Sequence, residues 1–266
     1  MPRPAADTCM QTAEITNAPF QGQRHPRRRS WLFVGLMIVL TILTMLGFSP
    51  RYFWPLLTGQ PLLPLLQHWG IASHSILNLA WLAFFVFQAW LIWRGRTDLH
   101  IRLGPWFAAY GVLLVVLDYW VGMVIEARRV ALGEPVDRVL PMAFAIIRDL
   151  VMFAGFLVAG ILYRRRPAVH RALMFLATYS LVVVGLGRFL GMLAPYAHMS
   201  ILVAIFFAPI IVAAVYDWRK RGRLHFLYAV GFVVYLLFRS PAQAIWFPIL
   251  REHWPPIGRA LLQPFL

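Results

Sequence analysis

The amino-acid sequence predicts an all-α, polytopic transmembrane helix bundle of about seven helices. Of its 266 residues, 61% are hydrophobic and only 13% are charged, which is more apolar surface than a soluble domain of this length can bury. The apolar residues fall into runs of about 20, the length of helix that crosses the hydrocarbon core of a bilayer. The basic residues collect in short turns between these runs. The lipid bilayer is therefore the expected solvent and first partner of the chain.

The net charge of +15 does not indicate a nucleic-acid-binding protein, because the basic residues are divided among turns and form no single face. The only cysteine, Cys9, excludes an intrachain disulfide and a cysteine metal cluster. The sequence also has no glycine-rich phosphate loop, no H-E-x-x-H helix and no nucleophile elbow. Nucleotide-driven and soluble-type hydrolase chemistry are therefore not indicated, and any enzymatic activity would be redox or lipid-handling.

The first part of the chain changes from polar to apolar. Residues 1–30 contain four prolines and end in three arginines, which predicts a disordered basic cytoplasmic tail. The run 31–49 is long enough to cross the bilayer and predicts a retained first helix, with a cleaved signal peptide as the alternative. Residues 50–71 are apolar but contain four prolines, which predicts an interfacial loop rather than a helix.

Six further apolar runs follow, and each is long enough to cross a membrane. They cover 72–93, 103–125, 139–163, 172–193, 199–216 and 224–250. The last is expected to break near Pro241 and Pro248. These runs complete a predicted bundle over 31–250, which an interfacial C-terminal tail of residues 251–266 would follow.

Arginine and lysine in the turns predict the orientation of the bundle. The turns 94–102, 164–171 and 219–223 carry three, four and four basic residues, whereas the turn 194–200 carries none. Because short basic loops stay on the cytoplasmic side, the amino terminus is predicted to be cytoplasmic and the carboxyl terminus outside.

Each of the three basic turns is followed by one histidine, at positions His100, His170 and His225. The shared plan places three imidazoles at one depth near the cytoplasmic surface. Three imidazoles could bind a zinc or copper ion, and two of them could ligate a haem iron from opposite faces. The alternative is that all three are interfacial residues that begin helices beside arginines.

A second polar layer is expected near the outer surface. Asp118 and Arg188 each follow a turn histidine by 18 residues, or roughly 27 Å of helix, and Arg148, Asp149 and Arg239 fall at similar depth. A charge at membrane depth costs several kcal/mol unless it is paired, so these five side chains are expected to converge. Their surplus positive charge predicts an outward-facing site for a carboxylate, a phosphate or a haem propionate. A purely structural ion-pair cluster and arginines that reach the headgroups are the alternatives.

The second apolar run adds a polar stripe to this layer. His74, Asn78, Trp81, Phe85 and Gln88 share the spacing of one helix face, which predicts a face turned toward protein rather than lipid. The predicted ligand-binding residues are therefore His74, Asn78, Gln88, Asp118, Arg148, Asp149, Arg188 and Arg239. A haem ligated by His74 and His198 at the outer side is a further alternative.

Two stretches of the sequence resemble a group of uncharacterised bacterial multi-pass membrane proteins. The group carries a His…Gln…His-Arg-x-x-Gly hairpin and then a His-Arg-x-x-Met helix that ends in arginine. The matching positions are His74, Gln88, His100, Gly104, His170, Arg171, Met174 and Arg188. Ile101 stands where the group has the arginine of the hairpin motif.

The resemblance implies a multi-pass protein of the bacterial inner membrane, and some members of the group are similar to haem-handling and oxidase-assembly proteins. Two functions are expected. The first is a membrane protein that binds an anionic or cofactor-like ligand in the outward-facing polar site. The alternative is a b-type haem or quinone-linked electron-transfer protein with two histidine ligands, for which haem b is the candidate cofactor.

Overall fold

A computed structural model describes residues 31–61, 69–222, 224–239 and 243–266. Every secondary-structure element in these ranges is helical, and this confirms the predicted all-α bundle. Six helical segments are long and apolar enough to cross a membrane, and the shorter apolar helix Phe226–Phe238 follows them. The predicted tail of residues 1–30 lies outside the described residues.

The described ranges contain nine α-helices, which are numbered in chain order. They are α1 (Leu32–Phe48), α2 (Trp54–Thr58), α3 (Trp69–Arg94), α4 (Thr97–Ala131), α5 (Val136–Leu162), α6 (Pro167–Leu193), α7 (Met199–Arg221), α8 (Phe226–Arg239) and α9 (Gln243–Leu262). A π turn over Ser49–Phe53 joins α1 to α2, and a 3₁₀ turn over Gln263–Phe265 follows α9. Short turns make successive long helices antiparallel. The turns after α3, α5 and α7 define the basic end of the bundle, and the turns after α4 and α6 define the distal end.

Helix α6 is the centre of the bundle. In its apolar segment 67% of the residues are buried, against 17–33% in the other five long segments. It packs against α1, α5, α7 and α8, and it contributes more side chains to the main apolar core than any other helix. Helix α6 is therefore the central helix, and the helices around it pack against it.

Two glycines bring α1 and α6 together as parallel neighbours. A Cβ atom added to Gly47 would lie 2.9 Å from the main-chain nitrogen of Phe189, and one added to Gly185 would lie 2.8 Å from Cα of Thr44. The hydroxyl of Thr44 donates to the carbonyl of Leu40 at 2.8 Å, in its own helix. Small residues at a helix crossing let two backbones approach closely in a membrane.

The prediction of an interfacial loop over 50–71 is wrong for its first part. The helical segment continues from α1 through the π turn and α2, and it ends at Gly59, whose φ is +68°. In an α-helix a proline cannot donate the usual main-chain hydrogen bond, and its ring collides with the preceding turn. A π turn has a different hydrogen-bond register, from residue i to residue i+5, and this register accommodates the proline. Residues 62–68 lie outside the described part of the chain.

The C-terminal residues 251–262 belong to a packed helix rather than a separate tail. Helix α9 contains Pro248, where a break was expected, and packs against the distal halves of α4 and α5. Trp254 donates its indole N–H to the carbonyl of Leu140 at 2.8 Å, and Leu262 is fully buried in an apolar cluster with Met123 and Val139. Helix α8 therefore leads the chain from the basic end toward the distal end.

Candidate functional site

The polar side chains inside the bundle form two clusters at opposite ends. The His74 cluster consists of His74, Asn78 and Asp118 at the distal end. The His100 cluster consists of Gln88, His100 and His170 at the basic end. Both include residues predicted from the sequence, and both depend on contacts between helices.

The His74 cluster is a buried carboxylate with its hydrogen-bond donors. The Asp118 side chain is 5% exposed, and its Oδ1 lies 2.8 Å from Nδ1 of His74. Asn78 donates to both carboxylate oxygens, at 3.0 and 3.2 Å. Because an ionised carboxylate only accepts, Nδ1 of His74 carries a proton. The spacing of His74 and Asn78 thus predicted their shared face correctly, and α4 supplies the acid that they bind.

The arginines of the predicted outer site do not join this cluster. Nε of Arg148 binds Oδ1 of its neighbour Asp149 at 3.0 Å, and the Arg188 guanidinium lies over the Phe48 ring, 4.9 Å from its centroid. Within the described ranges, no ion pair connects Asp118 to either arginine. The expected convergence on Asp118 is therefore not found, because Asp118 faces α3 whereas Arg188 faces α1. The side chain of Arg239, at the end of α8, lies outside the described part.

The His100 cluster forms where α3, α4 and α6 meet at the basic end. Helices α4 and α6 begin earlier than the sequence predicted, so His100 and His170 both lie in first turns rather than in loops. Their ring centroids are 6.1 Å apart, and His100 lies beside the main chain of Gln88. The prediction that these two histidines share one depth is confirmed.

A main-chain carbonyl fixes the tautomer of His170. Its Nδ1 lies 2.8 Å from the carbonyl oxygen of Gly160, in the last turn of α5, where a helix leaves carbonyls without intrahelical donors. A carbonyl only accepts, so Nδ1 carries the proton. In the neutral imidazole, Nε2 then keeps its lone pair, which is the arrangement found in metal-ligating histidines.

Three atoms of the His100 cluster are buried without a hydrogen bond. They are Nδ1 of His100 and both amide atoms of Gln88, and none of them has a partner among the residues that the structure describes. Burying an unpaired amide or imidazole nitrogen costs about 1–3 kcal/mol each. Such atoms are typical of a site that a ligand or ordered water completes.

The third turn histidine does not join the other two. His225 stacks on Phe226, with ring centroids 5.5 Å apart, and its Nδ1 accepts from the main-chain N–H of Leu227 at 3.4 Å. No group of three or more potential metal ligands is found among the described residues. The predicted zinc or copper site of His100, His170 and His225 is therefore not formed. His198, from the alternative outer haem pair, accepts from the main chain of Ser200 and begins α7.

An ion pair that no sequence pattern had predicted lies beside the His100 cluster. Arg171 of α6 donates to Asp217 of α7, which is fully buried, and its guanidinium also lies over Phe33, 5.1 Å from the ring centroid. Asp217 is the only acidic residue of α7, which is a signal that a pairing partner was required. Its partner lies 46 positions away, too far for helical spacing to identify.

No protein-family model, curated protein or solved structure matches this chain. The fold and its apolar helices define the class of the protein, a multi-pass integral membrane protein. Any finer assignment depends on the geometry of its two polar clusters.

Proposed function

We propose that the protein is a b-type membrane electron carrier, with a haem iron bound between His100 and His170. The observation that carries the proposal is the pair of imidazoles from α4 and α6, with ring centroids 6.1 Å apart. Beside them lie buried polar atoms that have no partner among the described residues. The resemblance to bacterial membrane proteins that are similar to haem-handling proteins supports this function and a location in the bacterial inner membrane.

The separation of the two rings suits a shared metal ion. Nitrogen ligands lie about 2.0–2.1 Å from a bound metal, so two imidazoles on opposite sides of it have nitrogens about 4 Å apart and ring centroids about 6 Å apart. The observed distance of 6.1 Å meets this requirement. His170 also offers a free Nε2, because the carbonyl of Gly160 holds its Nδ1 proton.

The number of ligands favours haem over a bare ion. A zinc ion in a protein needs about four ligands, whereas the described residues bring together no group of three. A porphyrin supplies four nitrogens itself and requires only the two axial positions from the protein. His100 and His170 would hold the iron of this haem, and electron transfer is the chemistry that a haem with two histidine ligands would supply.

The anionic ligand predicted for the distal end has less support. The carboxylate of Asp118 already accepts hydrogen bonds from His74 and Asn78, and Arg148 is paired with Asp149. The predicted surplus of positive charge therefore does not face one cavity with Asp118. Among the side chains of that set that the structure describes, Arg188 is the one left for an anion, and it lies on a different face of the bundle.

An absorbance spectrum tests the proposal. The protein purified after expression with ample haem precursor should show a Soret band, and His100→Ala and His170→Ala should lose it. His225→Ala and His198→Ala, at turn and cap positions outside the cluster, should keep it and serve as controls. A wild-type protein that shows no Soret band, either as purified or after reconstitution with haemin, rules out the haem site.

A further inference from the structure

Arg51 of the π turn and Arg188 of α6 lie near each other at the distal end, close enough for their charges to interact. The Arg188 guanidinium lies over the ring of Phe48, and Arg51 follows Phe48 by three residues in the π turn. The packing of α1 on α6 produces this meeting, since Arg51 lies one turn beyond Gly47, and Arg188 lies about one turn beyond Gly185.

The two positive charges have no acidic partner among the described residues. The salt bridges of the distal end involve Asp118, Glu126, Glu134, Asp137 and Asp149, and the basic partner in each is a residue other than these two arginines. Two guanidiniums in proximity repel each other unless an anion lies between them. A phosphate matches two guanidinium groups best, because each guanidinium can donate two parallel hydrogen bonds to the phosphate oxygens.

The surroundings of this arginine pair identify the source of the phosphate. The arginines lie where α1 and α6, both membrane-spanning, approach the distal surface. The π turn and α2 next to them carry Tyr52 and Trp54, and Trp54 is 57% exposed. Tyrosine and tryptophan settle at the level of the lipid headgroups. The α1 face below the pair is apolar and exposed at Ile42 and Leu46, as suits contact with acyl chains.

We propose that Arg51 and Arg188 together bind the phosphate of an anionic phospholipid at the distal surface. The lipid neutralises both guanidiniums, and its chains lie along the exposed face of α1. The π turn is then a functional element, since it places Arg51 within reach of α6 and keeps the aromatic residues beside the headgroup. This site is separate from the His100 cluster and does not depend on haem binding.

Native mass spectrometry of the protein in detergent, titrated with phosphatidylglycerol, tests the proposal. The double variant Arg51→Gln/Arg188→Gln should weaken the tightest lipid-binding event by about tenfold or more, since two charge-assisted hydrogen-bonding groups are lost. The double variant Arg128→Gln/Arg138→Gln removes the same charge from exposed positions near the same end and should leave that event unchanged. Equal losses in the two double variants would show non-specific electrostatic attraction and overturn the site.

Two further measurements distinguish a bound lipid from a free anion and test the bidentate hydrogen bonding. Inorganic phosphate should compete only weakly, and competition at concentrations similar to those of the lipid would show that the site takes a free anion instead. The variant Arg51→Lys/Arg188→Lys keeps both charges but loses the paired N–H donors of the guanidinium groups. Its lipid binding should therefore be weaker than that of the wild type and tighter than that of the glutamine variant. If it bound as tightly as the wild type, the bidentate recognition would be refuted. These variants also serve where the glutamine variants fail to fold.

Discussion

Asp118 is an acidic side chain in an apolar helix, and hydrogen bonds from α3 keep it there. His74 and Asn78 satisfy both of its oxygens. Other buried polar groups follow the same rule, since Trp81 of α3 donates to Thr178 of α6 at 3.3 Å and Tyr235 of α8 donates to the carbonyl of Leu176 at 2.9 Å. At the scale of single residues, polar side chains therefore join neighbouring helices.

Removal of the Asp118 carboxylate should destabilise the protein. The variant Asp118→Ala leaves the donors of His74 and Asn78 without their acceptor, at a cost of about 2–3 kcal/mol. Asp98→Ala is the control, since Asp98 is 68% exposed and its 3.5 Å pair with Arg96 contributes about 1 kcal/mol or less. Unfolding of the two variants in a detergent titration measures the difference. Equal stabilities would contradict the role assigned to Asp118.

Glu134 gives the protein a pH-dependent contact in the turn after α4. Two hydrogen bonds from Arg129, at 2.6 and 3.1 Å, lower the pKa of Glu134 below its ordinary value of 4.5. Because the pKa is lower in the folded state, the contact stabilises the protein fully at a pH above the ordinary pKa of the glutamate. This stabilisation is lost as the pH falls through the lowered pKa of the folded state. The contribution is small, because Glu134 is exposed to solvent.

The variant Glu134→Gln tests this contact. Its melting temperature should lie slightly below that of the wild type at pH 7, since the charge-assisted bonds are lost. The difference should shrink as the pH falls below 4.5 and vanish once Glu134 is protonated in the wild type. Thermal unfolding in detergent from pH 7 to about 3 measures both proteins. A difference that stays constant over that range excludes the contact as its cause.

At the scale of helices, the backbones of α1 and α6 approach closely where Gly47 and Gly185 lie. The variant Gly185→Ala places a methyl group against the backbone of Thr44, which cannot move aside as a flexible side chain would. Such overpacking should cost about 1–3 kcal/mol. Gly187→Ala is the control in the same helix, since a Cβ atom there meets nothing within 4 Å. Unfolding measurements on both variants should separate them, and a Gly185→Ala protein as stable as the control would refute the close crossing.

At the scale of the whole molecule, the orientation predicted from the arginine-rich turns can be measured with cysteine labelling. In a Cys9→Ser background, Leu132→Cys and Ile257→Cys lie at exposed positions of the distal end, whereas Arg165→Cys lies at the basic end. An impermeant thiol reagent should label the first two in intact cells and the third only after permeabilisation, because basic turns stay cytoplasmic. The reverse pattern contradicts the predicted orientation. Labelling of Leu132→Cys and Ile257→Cys from different sides contradicts the path of the chain through α8.

The helices could be predicted well because hydropathy and length are local properties. The predicted first and last residues of the helices were less accurate wherever prolines or basic residues lie at a helix end. Pro50 and Pro55 lie within a continuous helical segment because of a π turn, and His100 and His170 lie inside first turns because α4 and α6 include the basic residues. Proline and charge suggest a boundary, but the hydrogen-bond register of the turn decides where it falls.

The sequence by itself determined that this protein is a helical membrane bundle, where its spans lie and which turns are basic, because each of these follows from residues close together in the chain. Only the tertiary structure decided which polar residues meet. It placed His100 beside His170 but not His225, and Arg188 against Phe48 of α1 rather than beside Asp118. The physical reason is that these contacts depend on the order and rotation of the helices around α6, which packing between distant segments sets.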